Sequence, residues 1–438
     1  MRKNIIASGI NYFIIAFATL PLVSHFISVT LGGIFYIGLS YLLAVLSILI
    51  NRERLKGSQR YLGYGFILFL TFAGIYAIGT QIFSDRFRVV TAFVFDITVN
   101  LNNFISNLPI FIAAFYVFLK SETSERRKYY NFFLLCLLYT VVITLVALIA
   151  VPDYAKNEAA ASETGNMKMF AMLGANGFAL SYSLTIIAPV FFYFFRKEKR
   201  IVLLLISLLG SVVAILSGFL IGSLVLIGNI VFSLILSIKS TIARRITCGL
   251  VLATVVYFLI NIELIGEFAL FLSHKISIAS ISRRLAQIAN VILYKDFSGD
   301  AVSGRLLEYT KSWDGIKEHP FLGNILIDDL FAESGHSTVM DSWACFGFVL
   351  VSIFLIGLLL LGYGTVKGEK RSSARNIIFV SIFSLLVVAI FNPILSSTII
   401  YMYCFLTYSY FAYLKENELS KNTIQIELKG EQESEKLH

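Results

Sequence analysis

Apolar residues in this chain fall in long unbroken runs, separated by short stretches rich in Lys and Arg. A helix needs about 20 such residues to cross a hydrocarbon layer ~30 Å thick. Barrel strands would instead alternate polar and apolar positions over about 10 residues. The pattern predicts twelve helical spans, over 6–26, 29–50, 61–81, 103–119, 130–151, 174–195, 201–217, 219–238, 246–266, 344–365, 376–393 and 395–413. Ten to thirteen fit the same pattern, because the first pair and the 201–238 stretch have only Gly or polar residues to mark a turn. The first run follows Arg2 and Lys3, as in a signal peptide, but lacks a small-residue cleavage site and is followed at once by a second run. It is expected to be retained as a helix.

One interval breaks the rhythm. Residues 267–343 form a connection of about 77 residues between the ninth and tenth spans, where helix–helix connections usually run to about 2–8. Aromatic and aliphatic residues are plentiful there, among them Tyr294, Tyr309, Trp313, Phe321 and Phe331. A small, mostly helical cap is expected. The stretch 276–294 is amphipathic, with Ser282, Arg283, Arg284 and Gln287 breaking its apolar positions, as in a helix lying along a membrane interface. The tail over 414–438 is polar and expected to be disordered.

Composition agrees with a polytopic all-α membrane protein. Of 438 residues 57% are apolar and 14% charged, against roughly 25% charged in a soluble domain. The formal charge of +9 does not indicate nucleic-acid binding, because its distribution follows the spans. The N-terminus and the even-numbered connections carry twenty-one Lys and Arg, and the short connections opposite carry four: Arg86, Arg88, Lys156 and Lys168. Short basic loops stay in the cytoplasm. Both termini are then cytoplasmic, and the 267–343 loop faces away.

Ionisable residues within the runs are nearly absent, with Asp96 and Glu263 near predicted span ends; a proton or ion pump usually needs more. No Walker loop, dinucleotide fingerprint or zinc spacing occurs, so no cofactor and no metal are expected. Cys136, Cys248, Cys345 and Cys404 lie in or beside apolar runs without a CxxC pair and fit small apolar packers.

The polar chemistry is concentrated in the outer loop. In order it holds Ser303-Gly304-Arg305, Trp313, His319-Pro320-Phe321-Leu322-Gly323, Gly335-His336-Ser337, then Asp341 and Gly347 where a new helix is expected to begin. This stretch resembles the O-antigen polymerase and ligase superfamily of bacterial membrane glycosyltransferases. That family's outer loop carries a Gly-Arg, a downstream aromatic, a Pro-x-x-Gly and a His shortly before the next span. Many members have Asn after the His, where this chain has Ser337, and the Gly-rich turn is reduced to Gly323-Asn324-Ile325.

The resemblance implies an enzyme of the bacterial cytoplasmic membrane. Its donor would be an undecaprenyl-diphosphate-linked oligosaccharide and its acceptor a growing polysaccharide. It would use no nucleotide sugar and no essential metal, and would work beside a flippase and a chain-length regulator. A polysaccharide polymerase is the leading expectation. An O-antigen ligase is the alternative inside the family, and a flippase for the same lipid-linked glycan the alternative outside it.

The residues themselves fit that chemistry. A diphosphate leaving group gathers negative charge, which the fixed fork of a guanidinium meets well. Arg305 is the first choice, with Arg283, Arg284, Arg86 and Arg88 as further diphosphate ligands. Plain structural alternatives stand beside these roles: Arg305 capping a helix or pairing with Glu308, and Arg283 and Arg284 anchoring to headgroups. His336 is the candidate general base, since an unperturbed imidazole has a pKa of ~6.5, close to the working pH. Asp341 either orients that imidazole or caps a helix starting near Ser342. Trp313 and Tyr309 either stack on a sugar or pack the cap, and Ser337 is a candidate acceptor contact. Asn392 and Pro393 mark a break in the last apolar stretch.

Overall fold

The computed structural model describes residues 2–20, 23, 27, 30–83, 97–151, 153–159, 165–238, 240–276, 279–295, 303–325, 327, 336–394 and 400–417. Among the described residues the elements are all helical: α1 Arg2–Thr19, α2 Gly33–Ile50, α3 Gln59–Ile82, α4 Ile97–Lys120, α5 Thr123–Ala150, α6 Tyr154–Ala159, α7 Gly165–Met172, α8 Phe178–Glu198, α9 Ile201–Leu216 and α10 Leu220–Leu236. There follow α11 Thr241–Ile260, α12 Ile262–Lys275, α13 Ala279–Tyr294, α14 Ser303–Glu318, α15 Thr338–Val366 and α16 Ser372–Phe391. The last, α17, covers 400–417. Seven of these are long and apolar enough to cross a membrane: α2, α3, α5, α8, α11, α15 and α16. In hydrocarbon a helix satisfies its backbone internally, which is why such runs fold this way.

Two predicted boundaries are corrected. The ninth apolar run is not one helix. Asn261 leaves the helical region (φ −105°, ψ 58°) and separates α11 from α12. Its side-chain amide donates to the Tyr257 carbonyl at 2.9 Å, closing the end of α11. α12 then packs against α13, the helix that follows it. Gly266 permits the approach, since a Cβ there would lie 2.7 Å from Leu293, and Ser282 Oγ donates to the Ser273 carbonyl at 2.6 Å. The apolar face of 276–294 thus has a protein partner in α12.

The second correction concerns the helix after the long loop. It begins at Thr338 rather than near Ser342, and Gly347 does not open it but breaks it (φ 74°, ψ −178°).

α3 and α15 pack backbone to backbone. A Cβ on Gly65 would lie 2.7 Å from the Gly357 carbonyl, and one on Gly364 the same distance from the Leu62 amide. Small residues give membrane helices this close approach. α17 is the central pillar, buried at every position from 400 to 413. Its rings stack on α3 (Phe405 on Phe66, 4.1 Å; Tyr401 on Phe69, 3.9 Å) and on α8 (Phe411 on Phe194, 3.8 Å). Tyr408 shares a 2.7 Å hydrogen bond with Ser381 of α16.

The basic connections gather at one end of the bundle. Arg126 pairs with Glu416 (3.5 Å), which also accepts from Ser58. Arg200 donates to Tyr410 OH (2.6 Å) and Asn131 (2.7 Å), and Arg244 to Ser373 (3.3 Å). Lys415 Nζ donates to the Thr365 carbonyl (3.0 Å) near the C-terminus of α15, the end of a helix that favours a cation.

Candidate functional site

At the opposite end, four elements meet around the first turn of α15. Ser337 is its N-cap, fully buried, and its hydroxyl accepts from the Met340 amide at 3.0 Å. Asp341 reaches back one turn. Its Oδ2 accepts from the Ser337 amide (3.0 Å) and its Oδ1 from Ser312 Oγ of α14 (2.6 Å). This reciprocal pair works as a capping box, satisfying donors that a helix start leaves open. It also ties α14 to α15, because Ser312 and Asp341 are both buried. These bonds perform the helix capping that the sequence left open to Asp341.

Asn392, at the end of α16, is the second anchor. Its carbonyl accepts from the Thr338 amide (3.1 Å) and from Thr338 Oγ1 (3.2 Å). Its side-chain oxygen accepts from Tyr182 OH of α8 (2.8 Å). One residue earlier, the Phe391 carbonyl accepts from Tyr309 OH of α14 at 3.0 Å. Pro393 frees the local backbone from helix geometry, and the freed carbonyls serve α14 and α15.

The predicted residues therefore separate into groups. Tyr309, Ser337 and Asp341 are brought together, with half-buried His336 next to Ser337 at the mouth of α15. Tyr309 is spent on α16 and packs edge-on to Phe391. Trp313 is 49% exposed on α14, with the Lys317 ammonium 5.9 Å over its ring, so it offers an aromatic face at the surface. Arg305 lies in the first turn of α14, but its side chain is outside the described residues, as is that of Arg284 in α13. Arg283 stands exposed on α13. Arg86, Arg88 and Asp96 lie outside the described residues.

Sequence reasoning missed Ser312 and Tyr182 and treated Asn392 as a turn residue. No local signal marks the first two, because a hydroxyl on a helix becomes an anchor only when a partner arrives from elsewhere. The Asn-Pro pair was the one visible clue.

The Pro-x-x-Gly stretch has a role of its own. The break at Gly347 releases the hydrogen bond that Phe348 N–H would give to Ala344. Phe348 N–H donates instead to the Pro320 carbonyl (2.9 Å), while the Asn324 and Ile325 amides donate to the Ala344 and Cys345 carbonyls (2.9 and 3.0 Å). Trp343 Nε1 also donates to Pro320 (2.8 Å). Gly323 (φ 72°) and Gly347 sit where any Cβ would strike the facing backbone, so both positions require glycine. The motif fills a broken helix.

A polar cavity of about 150 Å³ lies at the basic end, lined by Asn51, Arg52, Glu53, Lys120, Glu122 and Glu125 among others. It mixes both charges and is remote from the residues above. Among the described residues no group of His, Cys, Asp and Glu is arranged to hold a metal ion. Compared with known proteins, the chain matches no family model and no curated protein.

Proposed function

We propose that this protein is a polysaccharide polymerase acting on lipid-linked glycans at the outer face of a bacterial cytoplasmic membrane. In this reading twelve helices cross the bilayer: α1 to α5, α8 to α11, and α15 to α17. The basic end faces the cytoplasm, as short Lys- and Arg-rich loops do. α12 to α14 form the outer cap.

The observation that carries the reading is the junction of α14 with the mouth of α15. Ser312–Asp341 and Tyr309–Phe391 hold the helix bearing Arg305 and Trp313 against the helix that starts just after His336. Residues resembling the family's loop motifs thus lie on two elements locked to each other, at the end opposite the basic loops.

The chemistry follows from the residue types. The bond between the sugar's anomeric carbon and the diphosphate oxygen breaks, and a bond to the acceptor hydroxyl oxygen forms. His336 takes the hydroxyl proton. Arg305 meets the charge that grows on the departing diphosphate, the place where a fixed cation contributes most. Arg283, Arg284, Arg86 and Arg88 are the reserve of further phosphate ligands, and Trp313 is the sugar-stacking face. Ser337 and Asp341 position the His336 segment by pinning the helix behind it.

A discontinuous helix such as α15 also occurs in transporters, where unwound backbone holds the coupling ion. Here the Ala344 and Cys345 carbonyls at the break are taken by the 324–325 amides, which disfavours that second reading.

The test uses purified protein and undecaprenyl-diphosphate-linked repeat units, with polymer length as readout. His336→Ala and Arg305→Ala are expected to insert and fold normally and to lose elongation by about 100-fold or more, the scale of a general base or oxyanion donor. Wild-type elongation by both variants would end the assignment.

A further inference from the structure

We infer that the 319–323 turn is a membrane wedge, with Phe321 and Leu322 immersed in the hydrocarbon of the leaflet opposite the basic end. The two side chains are 70% and 62% exposed although they sit in a tightly bonded turn. An exposed Phe–Leu pair in water is a liability that soluble surfaces avoid. Against lipid it is the expected finish.

Three observations point to lipid as the occupant. First, the turn's backbone lies on α15 itself: Phe348 N–H bonds to Pro320, and a Cβ on Gly347 would meet Phe321 and Leu322. Second, the pair continues the outward face of that span, where Phe348 and Val349 are 42% and 60% exposed and are followed by Ile356, Leu359 and Tyr363. Val349, Ile356 and Tyr363 recur at seven-residue spacing, which keeps them on one helical stripe. Third, lengths agree. The part of α15 beyond the break, 348–366, is nineteen residues, or about 28 Å at 1.5 Å per residue, close to the ~30 Å of a hydrocarbon layer. The break and the turn docked in it then fall at the boundary of that layer, and the 338–346 segment with Asp341 stands beyond it.

The bonding exchanged at the break fits this depth. Non-helical backbone is tolerated at the hydrocarbon edge only where protein satisfies it, and the Ala344, Cys345 and Pro320 carbonyls are all satisfied. The inference requires that α15 spans a membrane. It does not require glycan transfer.

Site-directed spin labelling of the full chain tests it. The background carries Cys248→Ser, since Cys248 is the exposed native cysteine and Cys136, Cys345 and Cys404 are buried. Labels are placed through Phe321→Cys, Leu322→Cys and Val349→Cys, with Leu359→Cys as the lipid control and Asp314→Cys, 64% exposed in its side chain, as the aqueous control. In phosphatidylethanolamine–phosphatidylglycerol vesicles, collisions with oxygen and with a water-soluble nickel chelate are compared. Labels at 321 and 322 are expected to favour oxygen, with the same sign of depth parameter as 359 and the opposite sign to 314. Nickel access at 321 and 322 equal to that at 314 would overturn the inference.

Discussion

α11 and α17 come from apolar runs that look alike in the sequence, yet they end in opposite surroundings. α17 is buried at every position from 400 to 413. In α11 no described residue of the Thr241–Phe258 window is buried, and Ile242, Leu250 and Leu252 are each more than 60% exposed. Lipid tails are as apolar as leucine, so hydrophobicity does not decide which helix goes to the centre. Polar reach does. In α11 the hydroxyls of Thr247 and Thr254 turn back on their own helix, each donating to the carbonyl four residues earlier at 2.9 Å. Three hydroxyls of α17 meet other segments: Tyr403 OH donates to Thr19 of α1 (3.4 Å), Tyr408 OH pairs with Ser381 of α16 and Tyr410 OH accepts from Arg200.

The contrast can be broken by substitution. The largest effect is expected at the pillar, where Phe405→Ala removes a ring stacked on Phe66. A loss of about 3–5 kcal/mol, the usual range for a buried Phe, should appear in thermal unfolding in detergent micelles. A loss under about 1 kcal/mol, that of an ordinary surface change, would mean that α17 is not the core. Next comes the junction at the mouth of α15. Asp341→Ala removes the acceptor of the Ser337 amide and the carboxylate that ties Ser312 to α15, and a buried donor that loses its acceptor costs about 1–3 kcal/mol. Unfolding should show a destabilisation of that size, with Asp341→Asn less affected because an amide oxygen still accepts. Equal stability of Asp341→Ala and wild type would dissolve the α14–α15 lock. The smallest effect belongs to α11. Leu250→Ala should change stability by no more than about 0.5 kcal/mol, as for exposed positions generally. A core-sized loss there would show that α11 is packed against protein in the membrane.

Much of the helical plan was legible from run length, and the ends of the runs from their Lys and Arg. The legible part stops where one residue changes a helix's course. Asn261 divides an apolar run that hydropathy reads as continuous, and Gly347 breaks a helix in a stretch where it looked like a beginning. At the candidate site, His336, Ser337, Asp341, Tyr309 and Trp313 were visible as residue types in order, and Asn392 as half of an Asn-Pro pair. Their relations were not visible. Ser312 lies 29 positions before Asp341 and Tyr182 lies 210 before Asn392, and no local pattern announces a partner at that distance.

What the sequence determined alone is the helical, membrane-spanning character of the chain and the segregation of its basic loops. Both follow from the cost of placing unpaired backbone and charge in hydrocarbon, a cost each segment meets by itself. The tertiary structure alone decided which helix became the pillar, why two glycines face each other across a broken span, and which hydroxyls lock α14 to the mouth of α15. Those choices rest on hydrogen bonds and close backbone contacts between distant segments, and such pairings exist only once the helices have met.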